Sequence, residues 1–404
     1  MEEDRFLIVG GGIAGLTLAL ALEKKGMASL VMERNEGSLS AGAGIQLSPN
    51  ASRILKSLGL ENPLFKYVSR PDSTLFRNWR SGKLIHKSDL GDKAETNYGA
   101  PYWQVHRADL TQVLLETTRQ KSLIEFLPGC EVQKIRNEES GICVETSLGE
   151  KQGVGLIGAD GIKSTVRNEI FRNKERARFT GNVAWRCLIP ADRLGEVFRE
   201  PATSVWWGPK KHFVHYPVRQ GALINCVCVA EKEAWTEESW TKPGDKKALN
   251  RAFSSWHPDI EELIQEADEE ELYEWGLFDR PAMSTWFKGR ATLIGDACHP
   301  MLPFLAQGAA MAIEDAFILA EVIAKQTEDL EKTFKIFFNE RIKRVSKVQN
   351  ASRRNATAFH LSGISSLVRN ILAPAQGRRI SDYLYKFNAI DKYSDKPMII
   401  ERGR

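Results

Sequence analysis

The sequence predicts an α/β fold: a parallel sheet covered by helices, an α+β part built on a second sheet, and a helical C-terminal part. Three observations carry this. First, Arg5-Phe-Leu-Ile-Val9 is a short apolar run followed at once by glycines, Ile13 to Lys25 repeats apolar residues at helical spacing, and Ser29-Leu-Val-Met32 is a second apolar run ending at Glu33. Strand, glycine turn, helix, strand is a βαβ unit, whose crossover needs a parallel sheet with helices on its faces. Second, residues 179–231 read as antiparallel strands. Third, Gly308 to Lys325 and the chain from Lys332 onward read as helices.

The remaining elements follow in order. Ser48-Pro-Asn-Ala precedes Ser52 to Leu58 as a capped helix, and Arg107-Ala-Asp-Leu opens another that runs to about Lys121. Residues 64–104 between them read as loop-rich and aromatic, with alternating patches such as Thr74 to Trp79. Trp206-Trp207, His212 to Tyr216 and Leu223 to Ala230 predict strands turning at Arg219-Gln-Gly221. Pro258 to Glu271 predicts an acidic surface helix, and residues 291–295 a short buried strand. In the C-terminal helix, Arg341, Lys343, Arg344, Arg353 and Arg354 are spaced for one solvated face.

Composition narrows the function. With 404 residues, 42% of them apolar and 27% charged, the chain can bury a sizeable core and is not a disordered segment. Its 56 basic and 52 acidic residues are spread evenly, without the basic stripe of a nucleic-acid binder, so no nucleic acid is expected as partner. The six cysteines form no CxxC pair and no zinc spacing, so no metal is expected and the thiols suit a cytoplasmic chain. The apolar N-terminal stretch Leu7 to Leu22 holds four glycines. It is shorter than the ~20 residues of a spanning helix, so no membrane partner is expected.

Gly10-Gly-Gly12-Ile-Ala-Gly15 is the GxGxxG pattern, set between a strand and a helix. The first glycine makes the tight turn, the second lets backbone approach a pyrophosphate, and the third lets helix pack on strand. The helix N-terminus then offers free N–H groups to the phosphates. Glu33 ends the second strand, 18 residues past Gly15, where an acid would hold a ribose hydroxyl. A second motif, Gly158-Ala-Asp160-Gly161-Ile-Lys-Ser164-Thr-Val-Arg167, sets Asp160 at a strand end. A third, Gly295-Asp296-Ala-Cys-His299-Pro300, precedes the helix opened by Gln307-Gly308-Ala309.

With these three motifs in order, the chain resembles the single-component FAD-dependent aromatic hydroxylases, the flavoprotein monooxygenases of the para-hydroxybenzoate hydroxylase type. The resemblance spans residues 5 to 345. It implies a discontinuous Rossmann-like FAD-binding domain of residues 1–70, 100–178 and 288–345, a substrate-binding β-sheet domain of 71–99 and 179–287, and a C-terminal helical segment, 346–404. It implies FAD as cofactor and NADH or NADPH as co-substrate. Gly10, Gly12, Gly15, Glu33 and Arg34 would serve the adenosine and pyrophosphate half of FAD, Ala14 and Val132 would also be cofactor-binding, and Arg107 would reach the cofactor. Asp296 would bind the ribitol, Gly44 and Gln46 would stand beside the flavin ring, and Gly308 and Ala309 near it. Asp160 and Arg167 would be structural and nicotinamide-related.

A closer resemblance joins the chain to salicylate hydroxylases and relatives acting on 3-hydroxybenzoate and 6-hydroxynicotinate. It rests on Trp207-Gly-Pro-Lys-Lys-His212-Phe-Val-His215-Tyr216 and on His299-Pro-Met-Leu-Pro303-Phe-Leu-Ala-Gln-Gly308. It implies that His212 and Tyr216 line the substrate pocket as the catalytic pair. A flavin hydroperoxide is a weak electrophile, and a histidine that takes the ring hydroxyl proton makes the neighbouring carbon electron-rich enough to attack. On a regular strand His212 and Tyr216 share a face and His215 takes the other. His299 is open to either an active-site or a structural role, and Cys187 and Cys298 are expected to be packed thiols.

Two positions depart from the relatives. Gln46 stands where the hydroxynicotinate group carries histidine, and Pro303 where the 3-hydroxybenzoate branch tends to place glutamine. The leading expectation is therefore hydroxylation of a small aromatic acid with O2, salicylate to catechol with loss of CO2. A 3-hydroxybenzoate or hydroxynicotinate-type hydroxylase, or a non-oxygenating flavoprotein dehydrogenase or reductase, stays open, as does a monomer or homodimer. Arg186 and Arg219 are candidates for holding a substrate carboxylate, with surface ion pairing the expected role of each.

Overall fold

The computed structural model describes residues 4–37, 43–138, 141–172, 177–235, 242–325 and 329–394. Five parallel strands form the first sheet, in the order Ala291–Leu293, Gly155–Gly158, Phe6–Val9, Ser29–Glu33 and Ile124–Pro128, with Phe287–Lys288 antiparallel at one edge. Phe6–Val9 is buried at every residue because strands flank it on both sides, and the helix Ile13–Glu23 and the strand Gly149–Gly153 pack against it. The helix Ile13–Glu23 is apolar nearly all round, and it packs against both Arg107–Arg119 and Gly308–Lys325. Gly15 lets this helix lie close against the turn and strand before it: a Cβ there would lie 2.0 Å from the Gly10 carbonyl oxygen.

The second sheet has seven strands in the order Tyr273–Asp279, Arg178–Pro190, Leu223–Glu231, Lys211–Val218, Ala202–Gly208, Ser73–Asn78 and Leu84–Asp89. Residues 64–104, read from sequence as loop-rich, thus contribute its two outer strands. Those strands carry polar and charged side chains on a half-exposed edge, which weakens the apolar alternation that marks a strand. One face of the sheet is sealed by the helices Lys246–Ala252 and Pro258–Glu266 through Phe213, Phe253, Trp256, Ile260 and Leu263. The other face looks toward the first sheet across the site. A short pair, Gly44–Leu47 with Trp103–His106, bridges the two layers. Gly44 comes so close to the second sheet that a Cβ would meet Asn225 at 2.6 Å and Tyr216 at 2.8 Å.

The helices Leu330–Phe359 and Gly363–Tyr385 close the structure. The expectation of one solvated basic face fails here. Arg341 is fully buried and Arg344 nearly so. Arg341 donates from Nε to Asp315 and from Nη1 to Glu314, both at 2.7 Å, and Arg344 donates to both oxygens of Glu314 at 2.7 and 2.8 Å. Glu314 and Asp315 lie inside the apolar helix Gly308–Lys325, and two buried acids require cations from a neighbouring helix.

Candidate active site

A cavity of about 810 Å³ lies between the two sheets, roofed by the C-terminal helices. Gly12, Ala14, Gly44, Gln46, Arg107, Asp296, Gly308 and Ala309 line it on one side, and His212 and Tyr216 on the other. Gly10, Gly15, Glu33, Arg34, Val132 and Asp160 are not in the lining. Val132 is packed in the core. Arg34 is exposed beyond the second strand. Glu33 accepts from the Gly11 amide at 2.8 Å and the Asn35 amide at 3.0 Å, which sets it at the glycine turn.

The lining fits FAD. The helix Ile13–Glu23 has no side-chain cap and no acid in its first turn, and nothing lies within 4 Å of where a Gly12 Cβ would stand. Its amide groups are thus open to a pyrophosphate. A second helix N-terminus, Gly308-Ala309, reaches the same cavity. Asp296 extends into the space and makes no hydrogen bond among the described residues; enclosure by protein raises its carboxyl pKa despite His299 and Arg107 nearby. A ribityl hydroxyl donating to this carboxylate would satisfy it.

The other motif residues hold the frame. The Asp160 carboxylate accepts from the Val166 amide at 3.1 Å, and burial raises its pKa. Arg167 is buried and donates to the Ala297 and Ile162 carbonyls at 2.8 and 2.6 Å, tying the second motif to the third. Asp315 accepts from the Gly295 amide at 2.9 Å and pairs with His299 Nε2 at 2.5 Å. His299 therefore braces the turn that presents Asp296. Cys298 is a packed thiol whose pKa burial drives well up.

On the substrate side the strand Lys211–Val218 alternates. His212, Val214 and Tyr216 line the cavity, while Phe213 joins the opposite core. His215 takes that second face against Phe198 and Trp206, where burial and the charge of Arg77 lower its pKa to about 3. His212 is buried beside Phe304 and Phe359, and desolvation together with the neighbouring His360 holds its pKa well below the usual imidazole value. His212 Nδ1 lies 2.9 Å from His360 Nε2. Burial raises the pKa of Tyr216, so it stays a neutral donor. Tyr102 donates to Gln46 Oε1 at 2.5 Å, placing an amide at the rim of the pocket.

Arg186 differs from its expected role. Arg219 pairs with Asp109 at 2.8 Å as a surface ion pair, but Arg186 lines the cavity. Its Nε is buried without a hydrogen-bond partner, it has no carboxylate partner among the described residues, and its guanidinium carbon lies 4.7 Å from the centre of the Trp275 ring. Enclosure lowers its pKa to about 10, which leaves it charged at neutral pH. Arg186 pairs across the sheet with Val227 and Val227 with Val214, so Arg186 faces the same side as His212 and Tyr216. A sequence cannot distinguish a strand arginine facing solvent from one facing a cavity, because both keep the same alternation.

Comparison with known proteins agrees with this geometry. The FAD binding domain family matches residues 4–348. The chain is 37% identical to the 3-amino-4-hydroxybenzoate 2-monooxygenase PtnB3 of Streptomyces platensis over 96% of this chain and 97% of that protein. It is 33% identical to the 3-hydroxybenzoate 6-hydroxylase of Polaromonas naphthalenivorans, with 95% and 96% covered. In fold it is similar to a salicylate hydroxylase solved with its substrate, at a TM-score of 0.81 and 23% identity over 99% of this chain and 100% of that one. The glycine turn, the two helix N-termini at the cavity and the full-length relatives converge: the chain belongs to the FAD binding domain family, as an FAD-dependent aromatic monooxygenase.

Proposed function

We propose that this enzyme hydroxylates a benzoate whose ring hydroxyl stands apart from the carboxylate, as in the 3- and 4-hydroxybenzoate class, and keeps the carboxylate. The observation that carries this is Arg186, a charged guanidinium facing the cavity without an acid to neutralise it among the described residues. A buried unpaired cation is costly, and a bidentate carboxylate is its natural complement. Arg186 stands two strands from Val214, and so about 10 Å from the His212 strand. That separation suits a ring held by its carboxylate at one side and its hydroxyl at the other. Salicylate, the leading expectation from sequence, carries the two groups on adjacent carbons and suits it less. The names of the hydroxybenzoate-acting relatives point the same way.

In this reading His212 accepts the ring hydroxyl proton and Tyr216 donates a hydrogen bond to orient the ring. When bound, FAD reduced by NADH or NADPH supplies the activated oxygen. Leu302, Phe304 and Trp207 keep water from the reacting face. The test is a panel. The FAD-loaded protein is offered NADH or NADPH with salicylate, 3-hydroxybenzoate or 3-amino-4-hydroxybenzoate, and products are weighed by mass spectrometry. The proposal expects a product 16 mass units heavier from a meta- or para-hydroxylated acid. Catechol and CO2 from salicylate as the preferred reaction would refute it.

A further inference from the structure

We propose that Glu231 and His360 form a proton path that fixes the tautomer of His212 and carries the substrate hydroxyl proton out to solvent. The proposal rests on the reading of His212 as the base. Its geometry is a continuous chain: His212 Nδ1 lies 2.9 Å from His360 Nε2, and His360 Nδ1 lies 3.2 Å from Glu231 Oε1. The first two rings are buried, whereas the Glu231 side chain is 43% exposed, so the chain begins in the cavity and ends at water.

The direction of each bond follows from the donor inventory. An ionised carboxylate only accepts, so His360 must donate from Nδ1. A neutral His360 then has its lone pair on Nε2, and His212 must donate to it from Nδ1. That leaves His212 Nε2 unprotonated, and it makes no hydrogen bond among the described residues. The base therefore presents its lone pair before substrate arrives. When the ring hydroxyl passes its proton to His212 Nε2, the Nδ1 proton passes to His360 Nε2 and the His360 Nδ1 proton to Glu231. Each ring ends neutral, and no third charge is created in the interior.

The backbone holds the chain together. The Lys210 amide donates to the His360 carbonyl at 3.1 Å, and the Glu231 amide donates to the Lys210 carbonyl at 3.0 Å. One hairpin turn thus ties the end of a sheet strand to the C-terminus of the helix Leu330–Phe359. The groups facing His360 are His212, Glu231 and Arg369; burial and Arg369 lower its pKa, and Glu231 partly offsets them. The groups on the two sides of His360 therefore favour one proton in transit and oppose two.

The test uses the FAD-loaded protein and 4-hydroxy-3-nitrobenzoate, whose phenolate absorbs at longer wavelength than its phenol. Bound probe is titrated with pH in wild type, Glu231→Gln, Glu231→Asp, His360→Phe and His212→Ala, and kcat and KM are measured with whichever ring acid is turned over. A glutamine can donate to His360 Nδ1 and reverse both tautomers, as exchange of a buried orienting acid for its amide does elsewhere. The path predicts that Glu231→Gln and His360→Phe ionise the probe at least one pH unit higher and lower kcat about tenfold or more, with KM within about twofold. Glu231→Asp restores most of both. Wild-type ionisation and kcat in Glu231→Gln and His360→Phe, with loss only in His212→Ala, would overturn the path and keep the base. An unchanged His212→Ala would overturn both.

Discussion

His212 gains its chemistry from what surrounds it. Desolvation keeps the imidazole neutral near pH 7, so under the proposed function it would meet a phenol as a base and not as a cation. His212→Ala is expected to keep FAD and lower hydroxylation by about 10²–10⁴, the usual reach of a positioned base; unimpaired coupled turnover would remove it from the mechanism. Arg186→Met is expected to raise KM for the ring acid about tenfold or more with FAD content unchanged, and Arg186→Lys to recover part of it. A KM equal to wild type in Arg186→Met would show that the carboxylate binds elsewhere. The alternation of His212, His215 and Tyr216 was legible because a strand has period two. Glu231 and His360 were not, since they lie 129 residues apart and only folding joins them.

Among elements, the helix Gly308–Lys325 does two things. Its N-terminus reaches the cavity, and its buried Glu314 and Asp315 bind the helix Leu330–Phe359 through Arg341 and Arg344. Burial alone would raise both carboxyl pKa values, but the arginines, with His299 at Asp315, outweigh it and the net shift is downward. Folded pKa values below the unfolded ones mean stability that is present above pH ~4 and lost as pH falls through the folded values. Arg341→Met leaves two acids undercompensated and is expected to destabilise by about 3–5 kcal/mol, read by denaturant unfolding; a loss under about 1 kcal/mol would mean that the network is not structural. The βαβ unit and the Gly308–Lys325 helix were readable in sequence because propensity and pattern agree there. The buried arginines were misread because helical spacing is the same for a solvated face and a buried ion network.

At the scale of the whole molecule, two sheets meet over one cavity, with the residues proposed for the dinucleotide on one side and those proposed for the ring acid on the other. The GxGxxG turn and the Gly295-Asp296 turn announced an FAD-binding chain from sequence, because a dinucleotide cofactor demands local motifs. The substrate side was only partly legible, because it is assembled from distant strands and from the C-terminal helices. FAD should stabilise the fold by mass action, about 2.7 kcal/mol at 100 times its Kd. Asp296→Ala should lose flavin on gel filtration and show a smaller FAD-induced rise in Tm; full flavination with a wild-type rise would count against its ribityl role.

The central claim is that one cavity couples a reduced flavin to a ring acid held between Arg186 and His212. Oxygen uptake and NADH or NADPH oxidation by the yellow protein, followed together with hydroxylated product, test it most directly. The account predicts slow oxidation alone, and with 3-hydroxybenzoate or 3-amino-4-hydroxybenzoate a rise with reductant, O2 and hydroxylated acid in equal amounts. Reductant oxidised without O2 uptake, or O2 consumed with peroxide and no hydroxylated ring for every acid offered, would contradict it.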